Sequence, residues 1–323
     1  EQVIRPYKKY VVAASVFFAL VISSLAYVIV KQGQTIDEQI ADIEVIKAAT
    51  KKQSQVSQAG LDSIREVYEK EIDREKKANR PIGDKISPYF NDIWYIYATG
   101  VEAEFEGETE YFDNINWSGT GFLLNDGRLV TAGHVIKPWL FGVSDDDTAD
   151  AFLNLLDNGV GEVKVDFIAI SPDGKKISFS TNDASISRSR NSKEFEIEGN
   201  VYELKEVEWE HDWAWIQTKY KGKLSASYTT SNKLDISNKL HILGYPYSLG
   251  VSENGMTPLY SSSDVSTKGL SNGMIQLTNR NFEQGNSGGP ALFEENGELK
   301  VVGIVSSGIG SSLGYLVPIS KVK

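Results

Sequence analysis

The sequence predicts a mainly β domain that follows two helical segments. Beyond residue 81, short apolar, β-branched or aromatic runs alternate with turn signals, a spacing typical of a β-sandwich or barrel. Before it, Val11 to Val30 carries no charge, and Thr35 to about Ala78 is rich in Glu, Lys, Gln, Asp and Ala and lacks proline. Both of these stretches favour helix over strand.

The uncharged stretch from Val11 to Val30 is long enough to cross a membrane. As a helix it spans roughly 30 Å, the thickness of a bilayer's hydrocarbon core. Arg5, Lys8 and Lys9 precede it, and this basic excess predicts a cytoplasmic N-terminus with the later domain across the membrane, in the periplasm if the source is bacterial. A cleaved signal peptide is the alternative, but the apolar run is long for one. We therefore expect a single-pass anchor that contacts the lipid bilayer through residues 11–30.

Residues 32–80 predict a helical linker with two short coiled-coil stretches. Apolar residues at heptad spacing stand at its two ends, and polar residues occupy the same seam between them. Such stretches could join copies of the chain or bind a membrane partner through residues 35–78. A single solvated helix that spaces the domain from the membrane is the alternative. Pro81 then ends the helix.

These boundaries divide the chain into 1–31, a cytoplasmic stub with the transmembrane helix, 32–80, the linker, and 81–323, the β domain. In the last part the runs with strand character are Ile93–Tyr97, Gly121–Leu124, Val163–Ile170, Leu240–Leu243 and Val301–Val305.

Two motifs in the β domain point to serine chemistry. Thr131-Ala132-Gly133-His134 lies upstream of Gly285-Asn286-Ser287-Gly288-Gly289-Pro290. A serine hydroxyl needs a base to take its proton as it attacks a carbonyl, and histidine is suited to this because its pKa lies near neutral pH. We therefore expect Ser287 to be a nucleophile and His134 its base.

Two further groups complete such a site. The loop Gly285, Asn286 and Ser287 predicts an oxyanion hole, in which the amides of Gly285 and Ser287 hold the developing charge. Asp212 stands at the head of the apolar run Trp213 to Ile216, which predicts a buried strand. We expect Asp212 to orient His134.

The order His134, Asp212, Ser287 is that of chymotrypsin, and the flanking segments resemble the protease domain of the HtrA (Deg) family of trypsin-like serine proteases. The similar segments lie in patches over residues 115–323. They are Gly119–Leu124, Gly127–Val135, Leu243–Gly250, Ile275–Thr278 and Gly314–Ile319. The resemblance implies that Gly127–Val135 includes the strand that carries the catalytic histidine. The resemblance implies a two-barrel trypsin-like (chymotrypsin) fold, with a first barrel at about 86–220, a second at about 233–323, and the active site in the cleft between them.

The sequence departs from that family in two places, and from trypsin-like zymogens in a third. Residues 139–206 predict surface insertions between His134 and Asp212. No PDZ domain follows the closing strand, so activation through such a domain is not expected within this chain. Asn286 replaces the aspartate that pairs with a newly cut N-terminus in trypsin-like zymogens, so activation by cleavage is not expected either. Regulation would instead order the loops around the oxyanion hole, with 244–258 as the moving part.

The resemblance also implies the substrate-binding residues. Asn281 and Phe282 should line the S1 pocket, with Gln284 beside it, and Ser306, Ser307 and Gly308 should form the strand edge that pairs with the substrate backbone. A bulky Phe282 and the lack of an acid at the pocket base favour a small or medium apolar side chain before the scissile bond.

Composition excludes several other classes. The net charge of −11 argues against nucleic acid as a partner. The chain has no cysteine and three histidines, so we expect no disulfide, thiol chemistry, metal site or cofactor. The sequence thus predicts a membrane-anchored serine endopeptidase acting on proteins or peptides. The alternative is a latent protease, or a protease-shaped scaffold or peptide-binding subunit of a membrane complex.

Overall fold

The computed structural model describes residues 80–112, 117–141, 148–197, 200–252, 255–295 and 297–322. The predicted membrane helix at 11–30 and the predicted coiled coil at 35–78 lie outside these ranges. Within them, no helix has the length and apolar character that a bilayer crossing requires.

The described residues confirm a mainly β architecture. The α-helices are α1 Arg80–Ile86, α2 Gly133–Ile136 and α3 Thr148–Leu155. Short 3₁₀ helices lie at Ser87–Asp92, Pro138–Leu140, Thr181–Asp183, Trp209–His211, Thr230–Asn232, Pro246–Ser248 and Ile319–Lys321, and a π turn lies at Leu156–Val160. The strands are β1 Ile93–Phe105, β2 Glu108–Phe112, β3 Ser118–Leu123, β4 Arg128–Thr131, β5 Gly161–Ile170, β6 Lys176–Ser180, β7 Ser185–Ile186, β8 Asn191–Ile197, β9 Asn200–Glu206, β10 Ala214–Gln217, β11 Lys239–Gly244, β12 Val251–Ser252, β13 Gly255–Met256, β14 Leu259–Asp264, β15 Ile275–Leu277, β16 Pro290–Glu295, β17 Glu298–Ile309 and β18 Leu313–Pro318.

The first sheet is antiparallel and curls into a half-barrel. Its strand order is β6-β5-β1-β3-β4-β10-β7, with β2 paired on β1. Burial alternates along β1 and β5, because one face of each strand is turned to the core and the other is not. Trp94, Ile96, Phe122, Val165 and Phe167 fill that core.

The second half-barrel has the strand order β14-β11-β16-β17-β18-β15. Its strands lie between 239 and 318, whereas those of the first sheet lie between 93 and 217. Ile242, Leu277, Ala291, Val305 and Leu316 are buried in the second core. Two hairpins, β8–β9 and β12–β13, stand outside both sheets.

The structure corrects the prediction of surface insertions over 139–206. β5 and β6 belong to the first sheet, and β5 pairs with β1 from Tyr95↔Ile170 to Phe105↔Gly161. The alternating apolar residues of β5 are buried against the core, so the segment cannot be a surface addition. Among the described residues of this segment, α3 and the β8–β9 hairpin lie outside the first sheet, and they pack on each other through Ala151 and Leu204.

A second correction concerns the segment that carries His134. The resemblance implied a strand through this histidine, but β4 ends at Thr131 and His134 lies in the helical turn α2. Successive side chains of a strand point to opposite faces, whereas those of a helical turn are spread around its axis. The helical turn therefore gives the imidazole an orientation that a continued strand would not.

Candidate active site

Asp212 and His134 form a two-point contact at the end of the first half-barrel. The buried Asp212 carboxylate accepts the His134 backbone N–H through Oδ1 at 2.8 Å, and its Oδ2 lies 2.7 Å from His134 Nδ1. β4 and β10 pair through Thr131↔Ala214. This pairing places His134 and Asp212 just beyond the same end of the two strands. An ionised carboxylate at Nδ1 keeps the proton on that nitrogen, so Nε2 is available as an acceptor.

Ser306 joins this pair from the other half-barrel. Its hydroxyl donates to Asp212 Oδ2 at 2.5 Å, and the side chain is buried. The sequence predicted Ser306 only as part of the substrate edge. The structure instead places its hydroxyl behind Asp212, where it helps to satisfy a buried carboxylate.

Ser287 is fixed between the two half-barrels by its backbone. Its carbonyl accepts the Thr120 N–H at 2.8 Å, and the Gly288 N–H donates to the Val305 carbonyl at 2.8 Å. Gly288 has φ +83°, and a Cβ there would collide with Thr131 Oγ1 and the Thr120 carbonyl. The Ser287 side chain is half-buried and its hydroxyl has no hydrogen-bond partner within the described ranges, His134 included.

The residues before Ser287 form a tight turn. The Asn286 N–H donates to the Glu283 carbonyl at 3.0 Å, and Gly285 has φ +96°, as a type II turn requires. The Tyr247 N–H holds the Gln284 carbonyl at 2.7 Å. Because the peptide is planar and trans, the Gly285 N–H points away from that carbonyl.

This turn corrects one predicted oxyanion residue. The N–H of Asn286 is already used inside the turn, so it cannot also bind an oxyanion. The amides of Gly285 and Ser287, by contrast, donate to no acceptor in the part of the chain that the structure describes. Those two remain the candidate donors.

Thr120 links the turn to the first half-barrel, and sequence reasoning did not single it out. Its buried Oγ1 donates to the Gly285 carbonyl at 2.7 Å and accepts the Tyr245 N–H at 3.0 Å. The single Thr120 hydroxyl thus pairs with two backbone groups, the carbonyl of Gly285 and the N–H of Tyr245.

Tyr247 and Glu283 hold the outer side of the turn. The Tyr247 hydroxyl donates to Glu283 Oε2 at 3.1 Å. Burial, and then the Glu283 carboxylate, raise the pKa of Tyr247 above its ordinary value. The phenol therefore stays protonated and remains a donor at neutral pH.

The predicted substrate-binding residues lie in different environments. Phe282 is 3% exposed and belongs to the second core, so its ring does not line a solvent-open pocket wall as predicted. The ring lies against Gly314, and the Arg280 guanidinium carbon is 5.9 Å from its centroid. Asn281 is exposed and donates from Nδ2 to the Ser262 carbonyl at 2.7 Å.

The remaining predicted residues lie at the surface of the second half-barrel. Gln284 is exposed. Ser307 and Gly308 pair with Tyr315 and Gly314 across β17 and β18 and are half-buried. The structure thus brings Phe282, Gly308 and Gly314 to one region, whereas the Asn281 side chain is directed to β14.

Trp209 was also missed by sequence reasoning. It lies three residues before Asp212 and is 42% exposed. Its ring centroid lies 5.7 Å from that of His134 and 5.8 Å from that of Phe141. The indole covers one side of the imidazole, and no local motif marks it.

One cluster near the site has metal-ligand chemistry. One ligand atom from each of Glu208, Glu210 and His211 lies within 4.8 Å of the others. The Lys321 ammonium, however, lies 3.1 Å from Glu210 Oε1, so a cation of the chain itself already neutralises the central carboxylate. The cluster is explained as an ion pair.

Comparison with known proteins agrees with this geometry. Residues 170–322 match the family model Trypsin, and no curated protein matches the chain. The matched range contains Asp212, Ser287 and the whole second half-barrel. Together, the two curled antiparallel half-barrels and this match, which covers just under half of the chain, support a trypsin-like serine protease domain.

Proposed function

We propose that this protein is a membrane-anchored serine endopeptidase that hydrolyses peptide bonds of protein substrates. The observation that carries the proposal is the buried Asp212 carboxylate, which holds both the backbone and the ring of His134. Such a two-point contact fixes the imidazole's position and its tautomer, as general-base catalysis by histidine requires.

The residues would then act in two steps. Ser287 Oγ attacks the substrate carbonyl while His134 Nε2 takes its proton, and His134 returns that proton to the leaving amine. A water molecule repeats the attack on the acyl-enzyme with His134 again as the base, which releases the second product and restores Ser287. Asp212 stabilises the imidazolium in both steps.

The turn before Ser287 would supply the oxyanion hole. The amides of Gly285 and Ser287 are free of acceptors within the described segments, and the type II turn holds the Gly285 N–H in place before substrate arrives. Each preorganised donor of this kind lowers the barrier by about 3 kcal/mol.

The packing of Phe282 supports a small apolar residue before the scissile bond. The Phe282 ring and the Arg280 side chain occupy the space beside Gly314 and Gly308. A long or charged substrate side chain would have to displace both. Glycine or alanine would not.

The membrane part of the proposal rests on the sequence. The uncharged stretch 11–30 follows Arg5, Lys8 and Lys9, and this pattern favours an anchor with a cytoplasmic N-terminus and an extracytoplasmic protease domain. The 35–78 stretch would space the domain from the bilayer or join it to a partner.

A latent protease, or a protease-shaped subunit that only holds peptides, is the second candidate. It is favoured by one observation, the lack of a hydrogen bond between the Ser287 hydroxyl and His134 within the described residues. Resting proteases often show a loose contact here that tightens with substrate. A binding module, in turn, would have no need of a buried carboxylate behind its histidine.

Covalent labelling by a fluorophosphonate probe tests the proposal on the full-length chain. We expect the unmutated protein to label, and Ser287→Ala and His134→Ala to abolish labelling. His211→Ala is the matched control and should label normally, because His211 does not contact Asp212 through its side chain. An unmutated protein that does not label would contradict the proposal and favour the latent or scaffold candidate.

A further inference from the structure

A second concave site lies outside the candidate active site. It is a cavity of about 670 Å³ beside β7, the last strand of the first sheet. Trp213 lines it and directly follows Asp212, but Asp212, His134 and Ser287 are not among its lining residues. Cavities that hold small organic ligands commonly have volumes of about 300 to 1,000 Å³.

The ionisable residues that line the cavity are all of basic type although the chain is acidic. The chain carries a net charge of −11, yet the ionisable side chains that line this cavity are Arg188, His211 and Lys321, with no carboxylate. Glu210 lies 3.1 Å from the Lys321 ammonium and 3.0 Å from His211 Nε2, so neither of these residues offers an unpaired positive charge. Arg188 is exposed and has no ion-pair partner in the described part of the chain, so its guanidinium is available to an anion.

The loop that presents Arg188 is held in place by its own hydrogen bonds. Arg190 Nη1 donates to the carbonyls of Ser187 at 2.5 Å and Ser189 at 2.9 Å. The Ser189 N–H donates to Ser187 Oγ at 3.3 Å, and Ile186 pairs with Ala214. A loop that is already ordered loses little entropy when a ligand binds.

The rest of the wall combines two apolar residues with four serines, Ser185, Ser187, Ser189 and Ser320. Ile186 and Trp213 line the cavity, and Trp213 is 8% exposed, so its indole is a fixed surface. The cavity therefore offers a guanidinium at one place and aliphatic and aromatic walls at another. This pair of features suits a ligand with an anionic group and an apolar body.

We propose that this cavity binds the C-terminal residue of a peptide that ends in an aliphatic side chain. The carboxylate would pair with Arg188, since a planar guanidinium and a carboxylate match each other's geometry. The side chain would pack on Ile186 and Trp213. This binding does not depend on the proposed catalysis.

Fluorine NMR of N-trifluoroacetyl-leucine with the full-length chain tests the proposal. We expect saturable binding, and about tenfold weaker binding for the carboxamide N-trifluoroacetyl-leucinamide, which lacks the charge-assisted hydrogen bonds. N-trifluoroacetyl-glycine should also bind more weakly, because it lacks the apolar body. Equal binding of the three compounds would overturn the proposal.

Variants locate the binding. Arg188→Gln should weaken the binding about tenfold. Lys268→Gln is the matched control, because it also removes one positive charge but at an 80% exposed side chain that does not line the cavity. Ser287→Ala should bind unchanged, which separates this result from the labelling experiment. Binding that Arg188→Gln leaves intact, or that inorganic phosphate displaces as well as N-acetyl-leucine does, would reject the site.

Discussion

Asp212 shows how much of the site depends on a single side chain. Its carboxylate accepts from the His134 backbone, lies against the His134 ring and accepts from Ser306, all while fully buried. A buried charge is tolerated only when its lone pairs are filled. We interpret Ser306 as a positioning residue, because it acts on His134 through Asp212 and not on substrate.

His241 is a second buried titratable residue, and it lies away from the candidate site. It is 7% exposed, and its Nδ1 lies 2.9 Å from the Tyr260 hydroxyl. Its pKa is lowered from 6.5 to about 4, chiefly by burial and also by nearby Lys239 and Lys85, with Glu294 opposing them. The folded protein therefore keeps this imidazole neutral in a pH range where the unfolded chain takes up a proton.

His241 should make stability depend on pH. Its contribution is fully present above pH 6.5 and is lost as the pH falls from there to about 4, with a total of up to about 3 kcal/mol. Urea unfolding at about pH 7.5 and pH 4 measures this. The unmutated protein should lose more stability on acidification than His241→Gln does, whereas the control His211→Gln should behave like the unmutated protein. Equal losses in all three would show that His241 is not responsible.

At the scale of elements, the turn Glu283–Asn286 and the strands around it decide whether the site is ready to act. The turn needs a residue with positive φ at Gly285, and its outer face is held by the Tyr247 N–H on the Gln284 carbonyl. The predicted moving segment 244–258 contains Tyr247. Loss of that one hydrogen bond would free the peptide between Gln284 and Gly285 to rotate, which would remove one oxyanion donor.

Gly285→Ala should disable the turn. A Cβ at Gly285 would meet the Tyr245 carbonyl at 2.5 Å, whereas Gly297 has a similar φ, +83°, and no heavy atom within 4 Å. Both substitutions place alanine in a left-handed conformation, which costs free energy. Only Gly285→Ala must also shift the backbone amide to relieve a clash. We expect the fluorophosphonate labelling rate to fall about a hundredfold for Gly285→Ala and to stay unchanged for Gly297→Ala. A similar fall in both would argue for general destabilisation.

At the scale of the molecule, the site exists only because two half-barrels meet. Contacts between them run through Thr120 to the Ser287 carbonyl and the Gly285 carbonyl, and through Ser306 to Asp212. The candidate catalytic groups are therefore divided between the two halves: His134 and Asp212 belong to the first, and Ser287 to the second. A change at this junction should affect stability and chemistry together.

Thr120→Val tests that coupling. Valine would leave the Tyr245 N–H and the Gly285 carbonyl without their buried partner, which should lower the free energy of unfolding by about 2 to 4 kcal/mol and slow fluorophosphonate labelling. Thr99→Val is the control, since the half-buried Thr99 hydroxyl makes one bond, to the Asp166 carbonyl at 3.1 Å. It should cost about 1 kcal/mol and leave labelling intact. Normal labelling by Thr120→Val would show that the junction does not position the turn.

Local patterns in the sequence were enough for the β architecture and for the principal candidates. Alternating or continuous apolar runs mark strands wherever one face is buried. The Thr-Ala-Gly-His and Gly-Asn-Ser-Gly-Gly motifs identify His134 and Ser287 as candidates, because their glycines and neighbours are required at fixed spacing. β5 was found as a strand by the same reasoning. Its place in the first sheet was not found, because the residues of a strand do not specify which other strand it pairs with.

The features that only the tertiary structure decided all depend on contacts between distant parts of the chain. The Ser306 hydroxyl meets Asp212, Thr120 meets Gly285, Trp209 covers His134, and the ring of Phe282 turns into the core. Each is a single side chain with no periodicity or motif of its own, and its partner is chosen by how the two half-barrels pack. Sequence therefore determined which chemistry the chain can carry, and packing determined which neighbours support it, because hydrogen bonds and burial act over ångströms in space and not along the chain.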